Sequence, residues 1–149
     1  MYNEMDLRIA YLAGVMDSDG YFCIQKGTSQ TASPSYSPNI GITQCCPQAT
    51  NLAMEVFGGK VRLIDRSAYY DKPTLKPMYL WTCPGALQAV TLRLLIPYLR
   101  IKRGQAEILL KLRENIDFYP RIKLPQRAFN YREKLYQRLR ELRRSPFNT

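Results

Sequence analysis

The chain has 149 residues, with 22 lysines and arginines against 12 acidic residues, and a formal net charge of +10. This length suits one domain with its own core, so we expect residues 1–149 to form a single domain. Histidine is absent, which excludes Ser–His and Cys–His nucleophilic sites. The four cysteines lack the C-x-x-C spacing of a zinc site and predict reduced thiols in an intracellular protein, cytoplasmic or organellar. We expect neither a secretory signal nor a membrane span.

The first predicted element is the nearly continuous apolar run Leu7–Met16, whose pattern indicates a helix buried on more than one side. Ala10, Ala13 and Gly14 share one face of this helix, where a second helix could approach closely. The residues Asp17-Ser18-Asp19-Gly20 are predicted to end the helix, with Gly20 just past its end. The helix dipole disfavours carboxylates at this position, so they indicate either a solvated turn or part of a divalent-cation site.

Pairs of strands and single helices then alternate along the chain. The predicted strands are residues 21–26, 39–44, 61–66 and 78–82, with hairpin loops at 27–39 and 68–77. Helices are predicted from Pro47 to Gly58 and from Pro84 to about Leu99. The order helix, strand, strand, helix, strand, strand, helix predicts an α+β fold, in which helices cover one face of a four-stranded antiparallel sheet.

Most of the excess positive charge lies in the C-terminal third. Residues 1–97 contain 8 basic and 7 acidic side chains, whereas residues 98–144 contain 14 basic and 5 acidic ones. Here we predict an amphipathic helix from Gln105 to Ile116 and a basic helical extension at about 118–149. Its arginines form either a solvated helix face or a surface for a polyanion.

The stretch Leu12–Gly20, with the sequence LAGVMDSDG, resembles the signature motif of the LAGLIDADG homing endonucleases. The resemblance implies an αββαββα core with a saddle-shaped antiparallel sheet and extra C-terminal helices. It also implies an endonuclease that hydrolyses both strands of a long, partly palindromic DNA target with a divalent metal. The metal is expected to be Mg²⁺ or Mn²⁺, with Ca²⁺ able to bind without supporting cleavage.

Three short stretches match the family's catalytic positions. Asp19 matches the metal-binding acid, and the backbone carbonyl of Ser18 matches a further metal ligand. Gln44, in Ile42-Thr43-Gln44, resembles the glutamine that orients water, and Lys102 resembles the lysine near the scissile phosphate, where a cation would stabilise developing charge. Without the motif, Gln44 would be an ordinary polar residue at a strand end and Lys102 a charge flanking a helix. Gln48 departs from the family, which often has a basic residue there, and this bears on the cleavage rate.

The uncovered sheet face resembles the family's DNA-binding surface, although a solvated sheet face would show the same polar alternation. Arginine and glutamine side chains can read guanine and adenine in the major groove. The expected base-reading residues are Gln25, Arg62 and Arg66, with loop residues Ser35, Tyr36, Ser37, Tyr69, Tyr70 and Lys72 reaching flanking positions. Arg138 and Arg143 are expected to contact phosphates.

The motif occurs once, which predicts a homodimer joined through the motif helices. Ala10, Ala13, Gly14 and Asp17 are the predicted interface residues, and the dimer would bring one Asp19 from each subunit near the axis. The alternative function is an intron-encoded RNA maturase or a non-cleaving DNA-binding regulator of the same fold.

Overall fold

The computed structural model describes residues 1–28, 33–67, 71, 74–119 and 123–144. Within these ranges, the helices are α1 (Glu4–Asp19), α2 (Gln48–Phe57), α3 (Gly85–Leu95), α4 (Arg103–Phe118) and α5 (Gln126–Arg144). The strands are β1 (Gly20–Gly27), β2 (Ser35–Gln44), β3 (Lys60–Ile64) and β4 (Met78–Thr82). The predicted α+β order is confirmed. None of the described helices is long and apolar enough to cross a lipid bilayer.

The four strands form one antiparallel sheet in the order β1-β2-β4-β3. Side chains alternate between its two faces, and the helices cover the face that carries Phe22, Ile40 and Trp81, each at most 1% exposed. Leu12 and Met16 of α1 are fully buried in the same core. The Trp81 Nε1–H donates to the carbonyl of Gly58 at 2.8 Å, which ties the end of α2 to the sheet. The opposite face of the sheet is left open.

Helix α1 is longer than predicted at both ends. It begins at Glu4 because Asn3 and Asp6 form a reciprocal capping box, with the Asp6 N–H donating to Asn3 Oδ1 at 2.8 Å. It continues through Asp19, so both carboxylates lie in its last turn. Gly20 has φ −84°, which is extended backbone and not the left-handed conformation expected of a glycine past a helix end. The glycine is needed for space instead, because a Cβ there would lie 2.6 Å from Met16 Cα.

Strand β2 begins at Ser35, four residues before the predicted start. Pro34 and Pro38 favoured a loop in the sequence, but Pro38 lies where β2 pairs with β1 alone. A proline is tolerated there because alternate N–H groups have no partner strand. Tyr36 is therefore a strand residue on the helix-covered face, and it is only 6% exposed. The prediction that Tyr36 contacts DNA from a loop is wrong.

The Tyr36 side chain joins the hairpin to α5. Its hydroxyl donates to the Glu133 carboxylate, and Lys26 Nζ donates to the same carboxylate oxygen at 2.9 Å. The hydrogen bond from Tyr36 contributes most to lowering the pKa of Glu133 to about 2, and the bond from Lys26 adds to it. Burial raises the pKa of Tyr36 to about 12. The cluster holds the C-terminal helix against β1 and β2.

Candidate functional site

The two carboxylates in the last turn of α1 have different partners. Asp17 accepts hydrogen bonds from three consecutive backbone N–H groups, those of Arg100 at 2.9 Å, Ile101 at 3.1 Å and Lys102 at 2.9 Å. These groups immediately precede α4, whose N-cap residue, Lys102, has no capping side chain of its own. Asp17 therefore fixes the start of α4 within its own chain. That Asp17 also contacts a second subunit stays a prediction.

Asp19 is exposed and contacts the end of β2. Its Oδ2 accepts a hydrogen bond from Gln44 Nε2 at 2.8 Å. Both residues line an open cleft of about 500 Å³, together with Thr43, Cys45, Cys46, Lys76 and Met78. The contact brings together two residues that are 25 positions apart in the sequence. The carboxylate remains accessible to water and to a ligand.

Lys102 approaches the same helix end from the other side. Its Nζ donates to the Gly20 carbonyl at 2.6 Å. Burial lowers the pKa of Lys102, and the charges of Asp17 and Asp19 oppose that shift. Arg143 lies close enough to lower the pKa of Lys102 further. The structure thus gathers Asp19, Gln44 and Lys102 around the junction between α1 and β1.

The oxygen donors at this junction suit a hard divalent cation only in part. The Asp19 carboxylate is one donor, and the last carbonyls of a helix, including that of Ser18, lack partners within the helix. The Ser18 hydroxyl donates back to the Val15 carbonyl at 3.1 Å. Within the described ranges, no three Asp, Glu, Cys or His side chains converge. Beyond these residues, a complete cation site would need further donors, such as water or a second chain.

The open face of the sheet carries several of the residues predicted to read DNA. Gln25 pairs with Ser37 in the register of β1 and β2, and Ser35 lies on the same face near the hairpin end. Arg62 is exposed on this face of β3. Arg66 departs from the prediction, because β3 ends at Ile64 and the Arg66 guanidinium donates to the Lys76 carbonyl at 3.2 Å. Tyr69, Tyr70 and Lys72 lie outside the described residues.

Tyr21 is a residue of the open face that the sequence analysis missed. Its ring lies across Gly41 of the neighbouring strand, where a Cβ would clash with the Tyr21 hydroxyl. Burial raises the pKa of Tyr21, while the positive charge of Arg62 lowers it. The phenol therefore lies over β2, within the electrostatic reach of Arg62. The signal available in the sequence was Gly41, because a glycine inside a predicted strand often marks a place where another group lies close to the backbone.

The outer side of α1 presents an apolar stripe to solvent. Leu7 is 61% exposed and Tyr11 is 55% exposed, and Ala10, Gly14 and Ser18 continue the same stripe at three- and four-residue spacing. A Cβ at Gly14 would meet nothing within 4 Å. Ala13 differs from the prediction. It is fully buried in its own chain and has no surface to offer a second subunit.

Helix α5 packs against α4 with Leu135, Leu139 and Leu142 buried. Arg132 belongs to this buried stripe and not to the charged outer side, since it is only 7% exposed. Arg138 is exposed and pairs with Glu141 at 3.2 Å. Arg143 is exposed, and its charge acts on Lys102.

Comparisons with protein-family models and with curated proteins gave no match. Solved structures do match. The homing endonuclease I-CvuI in complex with its target is 23% identical, with a TM-score of 0.70 over 93% of this chain and 83% of that one. The archaeal intron-encoded homing endonuclease I-Vdi141I complexed with DNA is 14% identical, with a TM-score of 0.74 over 93% and 85% of the two chains.

A third matched structure belongs to the family whose signature the motif resembles. The LAGLIDADG homing endonuclease I-GzeII in complex with its DNA target is 12% identical, and its TM-score is 0.62. The match covers 92% of this chain but only 44% of that longer one. Together with the motif at Leu12–Gly20, which lies at the end of α1, these matches show that the chain has the LAGLIDADG homing endonuclease fold.

Proposed function

We propose that this protein is a site-specific endonuclease that hydrolyses phosphodiester bonds on both strands of a long, partly palindromic DNA duplex. The observation that carries the proposal is the meeting of Asp19, Gln44 and Lys102 at one junction beside an open sheet face. The matched structures support it, since they are homing endonucleases in complex with DNA.

We assign Asp19 and the Ser18 carbonyl as the ligands of Mg²⁺ or Mn²⁺. When bound, the cation would supply a water of lowered pKa and stabilise the oxygens of the phosphate. Gln44 donates its amide N–H to Asp19, so its carbonyl oxygen is free to orient the attacking water. Lys102 places a positive charge at the same junction, where it would stabilise negative charge that develops on the phosphate.

We also propose a homodimer in which the exposed stripes of two α1 helices cross. Leu7 and Tyr11 would bury apolar area there, and Gly14 would allow the two backbones to approach closely. The symmetry of such a dimer is consistent with the incomplete metal site of one chain, because the second Asp19 would supply the missing carboxylate. It also implies two related half-sites in the DNA.

The open sheet face would lie in the major groove of each half-site. Arg62, Gln25 and Ser37 are the residues we expect to contact base edges, and Arg138 and Arg143 would contact phosphates outside the groove. Tyr21 lies on the same open face, and the charge of Arg62 acts on its phenol. We therefore expect base preference to depend on both residues.

A selection from random DNA would test the proposal. Circular plasmids that each carry a long randomised duplex are incubated with the protein in Mg²⁺, and the linear products are sequenced. We expect enrichment of a motif with two related halves around the cut site. Linearisation without a shared motif would contradict site specificity. No linearisation together with binding to structured RNA would contradict an endonuclease and favour the maturase alternative.

A further inference from the structure

A second cavity lies beside the first half of β2, which pairs with β1 alone, away from the cleft that contains Asp19. It is a groove of about 540 Å³ between the end of the β1–β2 hairpin and helices α3, α4 and α5. This volume falls in the range of small-molecule sites. Arg113, Arg132 and Gln88 line the groove together with serines of the hairpin, and the lining includes no Asp or Glu among the described residues. None of these groups takes part in the proposed cleavage reaction.

Arg132 is a buried charge that has no anionic partner among the described residues. It is 7% exposed, and its Nε donates to the neutral Asn115 Oδ1 at 2.7 Å. It forms no ion pair with any carboxylate in the described part of the chain. Burial lowers the pKa of Arg132, and the nearby positive charge of Arg113 lowers it further. Burying a charge is costly unless an opposite charge compensates it.

The beginning of α3 adds to the positive potential of the groove. Its N-cap residue is Pro84, whose side chain cannot cap the first N–H groups, although its carbonyl accepts the Leu87 N–H at 3.0 Å; the first turn contains no acidic residue. Gly85 lines the groove, and a Cβ there would lie 3.3 Å from Arg113 Nη1. The uncapped N–H groups of a helix start favour an anion. Asp117 offsets part of the Arg113 charge at 2.7 Å, so Arg132 is the principal uncompensated charge.

Apolar and aromatic side chains also line the groove. Phe129, Leu124 and Pro38 form walls beside the two arginines. Gln88 is 3% exposed and uses its Nε2–H to hold the Pro38 carbonyl at 2.8 Å, which fixes one wall in place. Such a groove can hold a flat apolar group next to a charged one. A site of this composition differs from a surface that only tracks a nucleic-acid backbone.

We propose that this groove binds a small ligand that carries a phosphate monoester on a flat ring system, with a free mononucleotide as the matching class. The phosphate would lie between Arg132, Arg113 and the start of α3, where guanidinium and backbone N–H groups donate to its oxygens. The ring system would lie against Phe129 and Pro38. The phosphate chemistry is shared with the DNA backbone, and the two sources are separated below by competition.

Calorimetry with the full chain, at constant ionic strength, would test the proposal. The probes are adenosine monophosphate, adenosine and inorganic phosphate. We expect saturable binding of adenosine monophosphate at one site per chain, weaker binding of inorganic phosphate and none of adenosine. A short DNA duplex should leave this binding unchanged, and displacement of the nucleotide by the duplex would overturn the proposal by assigning the groove to backbone phosphates.

Two variants and a matched control locate the site. Arg132→Gln should weaken nucleotide binding by about tenfold or more, since one charged hydrogen-bond donor is lost. Gly85→Asp places a carboxylate beside Arg113 at the start of α3, a position where negative charge stabilises a helix. This variant therefore remains informative if Arg132→Gln fails to fold, and we expect it to abolish nucleotide binding. Arg93→Gln removes an exposed charge of α3 that pairs with Glu114 outside the groove, and binding should persist. Equal loss in all three variants, or no saturable binding by the wild type, would refute the site.

Discussion

Replacing each acid of the last turn of α1 by its amide should separate a structural carboxylate from a functional one. In Asp17→Asn, a neutral amide replaces a carboxylate that accepts three backbone N–H groups at 2.9 to 3.1 Å. Hydrogen bonds to charged groups contribute about 1.5 to 3 kcal/mol each when buried, and this turn is largely exposed. We therefore expect Asp17→Asn to lower the free energy of unfolding by about 2 to 3 kcal/mol.

Asp19→Asn should behave differently. Among the described residues its carboxylate accepts one hydrogen bond, from Gln44, and the negative charge lies at the unfavourable end of the helix dipole. These two effects oppose each other, so we expect a change within about 0.5 kcal/mol.

Urea unfolding without divalent metal, at one fixed protein concentration, measures both values because dimerisation also contributes to stability. The two variants carry the same change of charge, so each serves as the control for the other. Equal destabilisation by both variants would refute the division of roles. So would a loss of more than about 1.5 kcal/mol in Asp19→Asn, because that would make Asp19 a structural residue.

Three further predictions address the dimer, the DNA surface and the hairpin cluster. Gly14→Glu leaves the single chain folded, because the position is open, but places a charge in the proposed interface, so sedimentation should change from dimer to monomer; an unchanged dimer would contradict the crossing of α1 helices. Arg62→Ala should alter the preference at particular base pairs. Arg138→Ala should weaken binding to all sequences and reduce, by about 1, the slope of the logarithm of the binding constant against the logarithm of the salt concentration. Identical effects of the two variants would argue against the assigned surface. Glu133 has its pKa lowered to about 2, so its contribution is present above the ordinary pKa of a glutamate and is lost as the pH falls towards about 2. Because the Glu133 side chain is 36% exposed, we expect it to contribute about 1 to 2 kcal/mol to the free energy of unfolding at pH 7, and we expect this contribution to be absent in Glu133→Gln. Parallel curves of unfolding free energy against pH for both proteins between pH 5 and pH 2 would contradict this.

The order of helices and strands could be predicted because the periodicity of apolar residues follows from which face each element buries. The start of β2 could not, since Pro34 and Pro38 are typical of loops and only the pairing pattern shows that β1 alone needs the N–H groups of that segment. Tyr36 was misplaced for the same reason. Once the strand starts at Ser35, the alternation that buries Ile40 and Ile42 also places Tyr36 on the helix-covered face.

Within the site, the motif identified the helix end but could not distinguish its two acids. The partners of Asp17 lie 83 to 85 residues away, and no local pattern predicts that the turn before α4 returns to the end of α1. Ala13 and Gly14 are neighbours of similar size, yet Ala13 is fully buried and Gly14 is open to solvent. Which side of α1 faces the core is set by its packing against the sheet, and the sequence of the helix alone does not show it. Arg132 resembled the exposed arginines around it. Its burial depends on how α5 docks on α4.

Cleavage by Asp19→Asn on a selected target tests the central claim most directly. The wild-type protein and the variant are compared on that duplex for binding in Ca²⁺ and for cutting of both strands in Mg²⁺. The account predicts that the variant binds within a few-fold of the wild-type affinity and cuts neither strand. Cutting by the variant at a rate near that of the wild type would contradict the role of Asp19 and the metal site built on it.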